Sequence, residues 1–111
     1  MPVVTQQTEF GRIAFYCPGK LPIFRAKTLM IKEPETLEWI RTFECNDVLW
    51  DIGANVGVYS LFAAIKGNKV LSFEPSPLNY YVLCKNIQIN KFDKNIFAYC
   101  FAFNDTTKLD F

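Results

Sequence analysis

The sequence predicts an α/β fold, with parallel strands in local order 3-2-1 and flanking helices. Two observations predict it. From residue 47 onward the apolar pattern runs strand, helix, strand, helix, strand, the order that right-handed crossovers turn into a parallel sheet. The last of these strands is apolar on both faces, with Ile96, Ala98, Cys100 and Ala102 on one and Phe97, Tyr99 and Phe101 on the other. That suits a parallel strand covered by helices.

Each element has its own local reason. Residues 9–16 and 24–32 read as short strands, separated by the turn-like Cys17-Pro18-Gly19-Lys20-Leu21-Pro22. A helix starts at Pro34, which suits a first helical position. Glu35 and Glu38 favour its dipole, and Leu37, Ile40 and Phe43 form its apolar stripe. Val48-Leu49-Trp50-Asp51-Ile52 is a buried strand that ends at Gly53. Gly57 opens a helix in which Val58, Leu61, Phe62 and Ile65 recur at helical spacing. Gly67-Asn68 closes it as a left-handed cap. Residues 69–74 form the next strand. Ser76 caps a second helix with Pro77 at its first position, running to about Asn90. Residues 95–102 form the third strand. Residues 1–33 thus make an N-terminal extension, and residues 34–111 carry the α/β unit.

Composition narrows the function. Half of the residues are apolar and 11 are Phe, so the chain can bury a core. There is no histidine, which removes Ser-His-Asp and Cys-His nucleophile systems and His-based zinc sites from this chain. The 12 basic and 11 acidic side chains are spread over both halves, which argues against nucleic acid as a partner. No C-x-x-C pair occurs, so no metal site is expected. Cys17, Cys45, Cys84 and Cys100 sit in apolar patterns and read as reduced core thiols of a cytoplasmic protein. No signal peptide is visible, and no apolar run is long enough for a membrane span.

The chemistry concentrates in Asp51-Ile52-Gly53-Ala54-Asn55-Val56-Gly57, a glycine-rich turn between strand and helix. Ligands in open α/β sheets bind at this end of the strands. The second strand ends in Ser72-Phe73-Glu74-Pro75, with Glu74 23 positions after Asp51. An acid there reaches the ribose of a nucleoside lying over the first loop. The dinucleotide fingerprint would need glycines at 53, 55 and 58, but Asn55 and Val58 stand at two of them. No phosphate-binding P-loop occurs. The remaining loop suits a ligand with an amino-acid end: Asp51 attracts its ammonium, and loop N–H groups hold its carboxylate.

These stretches resemble the FkbM family of S-adenosylmethionine-dependent methyltransferases. The matching segments are residues 47–60 around DIGANVG, Phe73-Glu74-Pro75-Ser76-Pro77, Lys85-Asn86-Ile87-Gln88-Ile89-Asn90, and Ala102-Phe103-Asn104-Asp105. Thr36-Leu37-Glu38-Trp39-Ile40 is similar to a helix upstream of the first motif in some members. The resemblance implies a Rossmann-like methyltransferase fold and S-adenosyl-L-methionine as cofactor. It places Asp51, Gly53, Asn55 and Gly57 beneath the methionine part and Glu74 on the ribose hydroxyls. Pro75 and Ser76 would border the adenine, and Asn104 or Asp105 would bond its edge. Asn-Asp stands at 104–105 where the family has Ser-Asp. Tyr59 reads either as pocket lining or as core.

The implied reaction is O-methylation of a sugar or other hydroxylated metabolite, the acceptor being a small molecule or glycan. Catalytic residues are not identified, although Asp105 is a candidate base by position. The family continues into a fourth strand with an Asp and a Glu-Gly element, and nothing after Asp105 matches it. The domain is therefore expected to be C-terminally incomplete, the cofactor-binding half of an enzyme and inactive alone. Self-association through the exposed edge of the first strand is expected as well. The alternatives are a truncated, non-catalytic cofactor- or nucleoside-binding module and a fragment of a nicotinamide-dependent dehydrogenase.

Overall fold

The structure is a computed structural model and describes residues 2–18 and 34–102. It begins with a hairpin in which β1 (Val3–Thr8) pairs antiparallel with β2 (Gly11–Tyr16). The apolar pattern predicts a strand from residue 9 and gives no signal for β1, so both differ from what is observed. The turn explains the shift. The Thr8 hydroxyl donates to the Gly11 carbonyl at 2.7 Å and accepts the Phe10 N–H at 3.1 Å, so Glu9 and Phe10 form the bend. The strand expected at 24–32 lies outside the described residues.

Helix α1 (Pro34–Arg41) buries Leu37 and Ile40. Arg41 ties it to the hairpin turn: the guanidinium bonds Glu9 and Glu38 and lies over the Phe62 ring. The sheet follows. β3 (Val48–Ile52), β4 (Lys69–Phe73) and β5 (Ile96–Tyr99) are parallel and lie in the order β3-β4-β5. This is the local order that the sequence predicts. Helices α2 (Val58–Lys66) and α3 (Pro77–Ile89) make the two crossovers. Gly67 closes α2 in a left-handed conformation, its N–H donating to the carbonyls of Ala63 and Ala64. The Ser76 hydroxyl caps α3 by accepting the Asn79 N–H, with Pro77 in the first turn.

Both crossover helices cover one face of the sheet, and β2 packs on both helices. Ile13 and Phe15 of β2, Leu61 and Phe62 of α2, Leu83 of α3 and Val70 of β4 are all but fully buried in this core. Along β3 the alternation is strict: Leu49 and Asp51 face inward, while Val48, Trp50 and Ile52 are exposed.

Two expectations need correction. The third strand was expected to be covered on both faces, yet Phe97 and Tyr99 are exposed and no described element covers that side. The strand also stops at Tyr99, short of 102, which leaves Cys100 outside it and exposed. Nor are the four cysteines all core thiols. Only Cys17 is buried, Cys84 is half-buried, and Cys45 lies exposed in the turn after α1; none of the four is in a disulfide.

Candidate functional site

The β3–α2 loop is shaped by three consecutive demands on the backbone. Gly53 (φ 73°), Asn55 (φ 57°) and Gly57 (φ 98°) all take the left-handed region. Glycine enters it without steric cost, and Asn is among the few other residues that do so readily. Gly57 meets a second demand. A Cβ there would lie 2.6 Å from Leu83 Cδ1, so only glycine lets α3 press so closely on the loop. Above Gly53 the space is open, with nothing within 4 Å of where a Cβ would be.

The loop folds back onto the tip of β4. The N–H groups of Gly53 and Ala54 both donate to the Phe73 carbonyl, at 2.8 and 3.0 Å. The Asn55 N–H donates to Glu74 Oε1 at 2.7 Å, and the Gly57 N–H to the Ala54 carbonyl at 2.9 Å. These bonds correct one expectation, that loop N–H groups hold a ligand carboxylate. Four of them already have partners inside the protein, because a tight turn over a neighbouring strand end satisfies its own donors first.

Glu74 sits at the centre. It is 5% exposed, and its carboxylate accepts from two backbone donors, Asn55 N–H on Oε1 and Ser76 N–H on Oε2 at 2.9 Å. Each carboxylate oxygen has two acceptor sites, so one on each remains for a ligand. The structure thus joins Glu74, Asn55 and Ser76 through hydrogen bonds.

Asp51 is buried beneath the loop at 9% exposure. Ser60 Oγ donates to Asp51 Oδ2 at 2.6 Å and lies 2.6 Å from Ser72 Oγ. The single Ser60 proton goes to the carboxylate, so Ser72 must be the donor to Ser60. Burial raises the Asp51 pKa above the ordinary carboxylate value. The Ser60 bonds pull it down and the neighbouring Glu74 charge pushes it further up.

Two features mark the pocket side. Asn55 Oδ1 is buried with no hydrogen-bond partner among the described residues. A buried acceptor of this kind is open to a donor from a water or a ligand. Next to the loop, a cavity of about 110 Å³ is lined by Ile52, Gly53, Phe73, Pro75, Phe101 and Ala102. Aromatic and small apolar walls at the strand tips suit a flat ring. A larger cavity of about 410 Å³ lies between α3 and β5, lined in part by Tyr80, Cys84, Lys85 and Asp93. It is lined by Lys85, Ile87 and Gln88 of the 85–90 segment but by none of the predicted site residues, whereas Gly53 and Pro75 line the smaller cavity, which is therefore the candidate site.

Of the predicted site residues, Asp51, Gly53, Asn55, Gly57, Glu74, Pro75 and Ser76 lie at this end of the sheet. Asn104 and Asp105 lie outside the described residues. Tyr59 is half-buried and packs against the core. Sequence reasoning gave no role to Ser60, Ser72, Phe73 or Phe101. The serines had a readable signal, since both interrupt otherwise apolar stretches on inward-facing positions.

Comparison with known proteins bears on this geometry. No protein-family model matches the chain. Over 67 residues it is 33% identical to a tRNA (guanine(37)-N(1))-methyltransferase of Phytophthora infestans, which covers 60% of this chain and 16% of that protein. Over 43 residues it is 42% identical to the hexuronic acid methyltransferase AglP of Haloferax volcanii, covering 39% of this chain and 18% of that protein. Among solved structures, the SAM-dependent methyltransferase from Agrobacterium tumefaciens matches with a TM-score of 0.61 at 14% identity, over 88% of this chain and 32% of its own. The chain has a Rossmann-like methyltransferase fold. Methanocaldococcus jannaschii Trm5 in complex with adenosine matches this methyltransferase fold with a TM-score of 0.58 at 20% identity, over 88% of this chain and 29% of its own. The chain therefore spans less than a third of the length of the methyltransferases just named, 16% at the shortest and 32% at the longest. Among the described residues no group of acids and cysteines could hold a metal ion, and no helix is long and apolar enough to cross a membrane.

Proposed function

We propose that this chain is the cofactor-binding part of an S-adenosylmethionine-dependent methyltransferase that acts on a hydroxyl of a sugar or other hydroxylated metabolite. One observation carries the reading. Glu74 is buried and held in place by Asn55 and Ser76, with acceptor sites to spare, beside an orphaned Asn55 Oδ1 and an apolar slot.

The residues divide the ligand between them. Glu74 accepts from the ribose hydroxyls. Phe73, Pro75 and Phe101 flank the adenine ring, with Ser76 at its border and Asn104 or Asp105 on its edge. Asn55 Oδ1 and Asp51 face the methionine end, where the ammonium offers donors to both. Gly53 keeps the space above the loop clear of a side chain. When bound, S-adenosylmethionine supplies a methyl group on a sulfonium. For such displacement chemistry a protein contributes mainly by positioning the two reactants. No base for the acceptor proton is assigned, and the 111-residue chain by itself is read as inactive and cytoplasmic.

The similarity to the hexuronic acid methyltransferase supports a sugar-type acceptor. A second reading, a tRNA base as acceptor, is favoured by the longer match to the tRNA methyltransferase. The near balance of charge favours the metabolite, because tRNA binding calls for a basic surface.

Calorimetry tests the cofactor class. S-adenosylhomocysteine is expected to bind the purified chain and NAD is not. Tighter binding of NAD would overturn the reading in favour of a dehydrogenase fragment. Absence of binding by either would favour a non-binding module.

A further inference from the structure

Asn86 on α3 is 0% exposed, and its amide faces two different elements. Its Nδ2 donates to the Val56 carbonyl of the β3–α2 loop at 2.8 Å. Its Oδ1 accepts the Tyr16 N–H of β2 at 2.6 Å. One turn further along α3, Asn90 makes a different pair of bonds. Its Oδ1 accepts the Ala14 N–H at 2.8 Å and its Nδ2 donates to the Ala14 carbonyl at 2.7 Å.

The spacing explains why these two side chains can serve one strand. Four helical residues rise about 6 Å, and two strand residues span about 6.8 Å. Asparagines at i and i+4 on α3 therefore meet alternate residues of β2, and their amides take the place of a further strand on that edge. Asn90 bonds only the strand and the Asn86 carbonyl. Asn86 alone among the described residues bonds both the hairpin and the loop. The contact is tightened one turn earlier, where Leu83 sits over Gly57.

We infer that Asn86 is a positioning residue for the β3–α2 loop, and that through it the docking of the β1–β2 hairpin sets ligand affinity at the strand tips. The affinity part rests on the function proposed above. Physically, the Asn86 amide holds the Val56 carbonyl, and so fixes the peptide on which Asn55 and Gly57 hinge. A loop free to rock there would lose the alignment of Asn55 with Glu74.

The test compares Asn86→Asp with Asn90→Asp in the full chain. Each variant keeps an acceptor for its β2 N–H. Asn86→Asp loses the bond to the Val56 carbonyl and Asn90→Asp the bonds to the Ala14 and Asn86 carbonyls, so a fall in thermal midpoint is expected of both, at least as large for Asn90→Asp. Only Asn86→Asp should weaken S-adenosylhomocysteine by about tenfold, a typical coupling between linked sites, measured well below the midpoint. Without ligand, it alone should speed hydrogen exchange at the Asn55 and Gly57 amides. Unchanged loop exchange, or equal affinities for the two variants, overturns the inference. If the parent chain does not bind S-adenosylhomocysteine, the proposed function fails, while the ligand-free exchange still decides whether Asn86 positions the loop. If Asn86→Asp does not fold, the parent chain supplies the answer. Saturating ligand should then slow exchange at the Tyr16 N–H more than at the Ala14 N–H, and equal slowing overturns the inference.

Discussion

The two faces of the β3–β5 sheet are built from the same strands and similar residues, yet only one is covered. On the inner face Leu49, Val70 and Ile96 are buried under α2 and α3, which in turn carry the hairpin. On the outer face Val48, Trp50, Ile52, Phe97 and Tyr99 are exposed. The rings do associate there: Phe73 stacks on Tyr99 with centroids 5.5 Å apart, and Trp50 lies 5.9 Å from Phe73. Apolar patterning thus reports a strand's capacity to be buried. Whether burial happens depends on which elements stand opposite.

The largest effect is expected on the covered face. Phe62 is 0% exposed, and Phe62→Ala is expected to cost about 3–5 kcal/mol by cavity formation. That is a large part of the roughly 5–15 kcal/mol available to a domain, so the denaturant midpoint should collapse. The polar floor of the same face gives an effect of opposite sign. The Asp51 pKa is raised by burial, so the stability that its protonated form contributes is full below the ordinary carboxylate value and is lost as pH rises through the raised one. Asp51→Asn mimics the protonated acid and keeps an acceptor for Ser60. It is expected to be more stable than the parent at neutral pH, with the advantage shrinking on acidification, as thermal melts across pH 4–7 would read. A variant less stable at every pH would mean that the charge itself holds the loop. The smallest effect belongs to the open face. Trp50, 58% exposed, should tolerate Trp50→Lys within about 0.5 kcal/mol. The same change is expected to weaken concentration-dependent association in sedimentation, and association left unchanged would place it on the free edge of β3 and not on this face.

Much of the inner face was legible in the sequence, because helical and strand periods there answer to the same core. Of the four residues whose spacing predicted a buried helix face, Val58, Leu61 and Phe62 are buried and Ile65 is half-buried against the same core. The loop glycines and Glu74 were legible because backbone sterics and strand-tip geometry leave few options. Other features answered to partners distant in sequence. Asn86 reaches Tyr16, 70 residues away, and nothing local marks that bond. The loop N–H groups were misjudged for the same reason, since their acceptors belong to the end of a different strand. The hairpin turn was displaced by a single Thr8 side chain, which a pattern of apolar residues does not register.

Glu74 as the ribose anchor is the centre of the proposed site. Its most direct test is the affinity of S-adenosylhomocysteine for the parent chain and for Glu74→Gln, which keeps the side-chain shape and one carbonyl acceptor. Hydrogen bonds to a charged group are worth about 1.5–3 kcal/mol, so a loss of roughly tenfold or more is expected with the chain still folded. Equal affinity for the two proteins would contradict it.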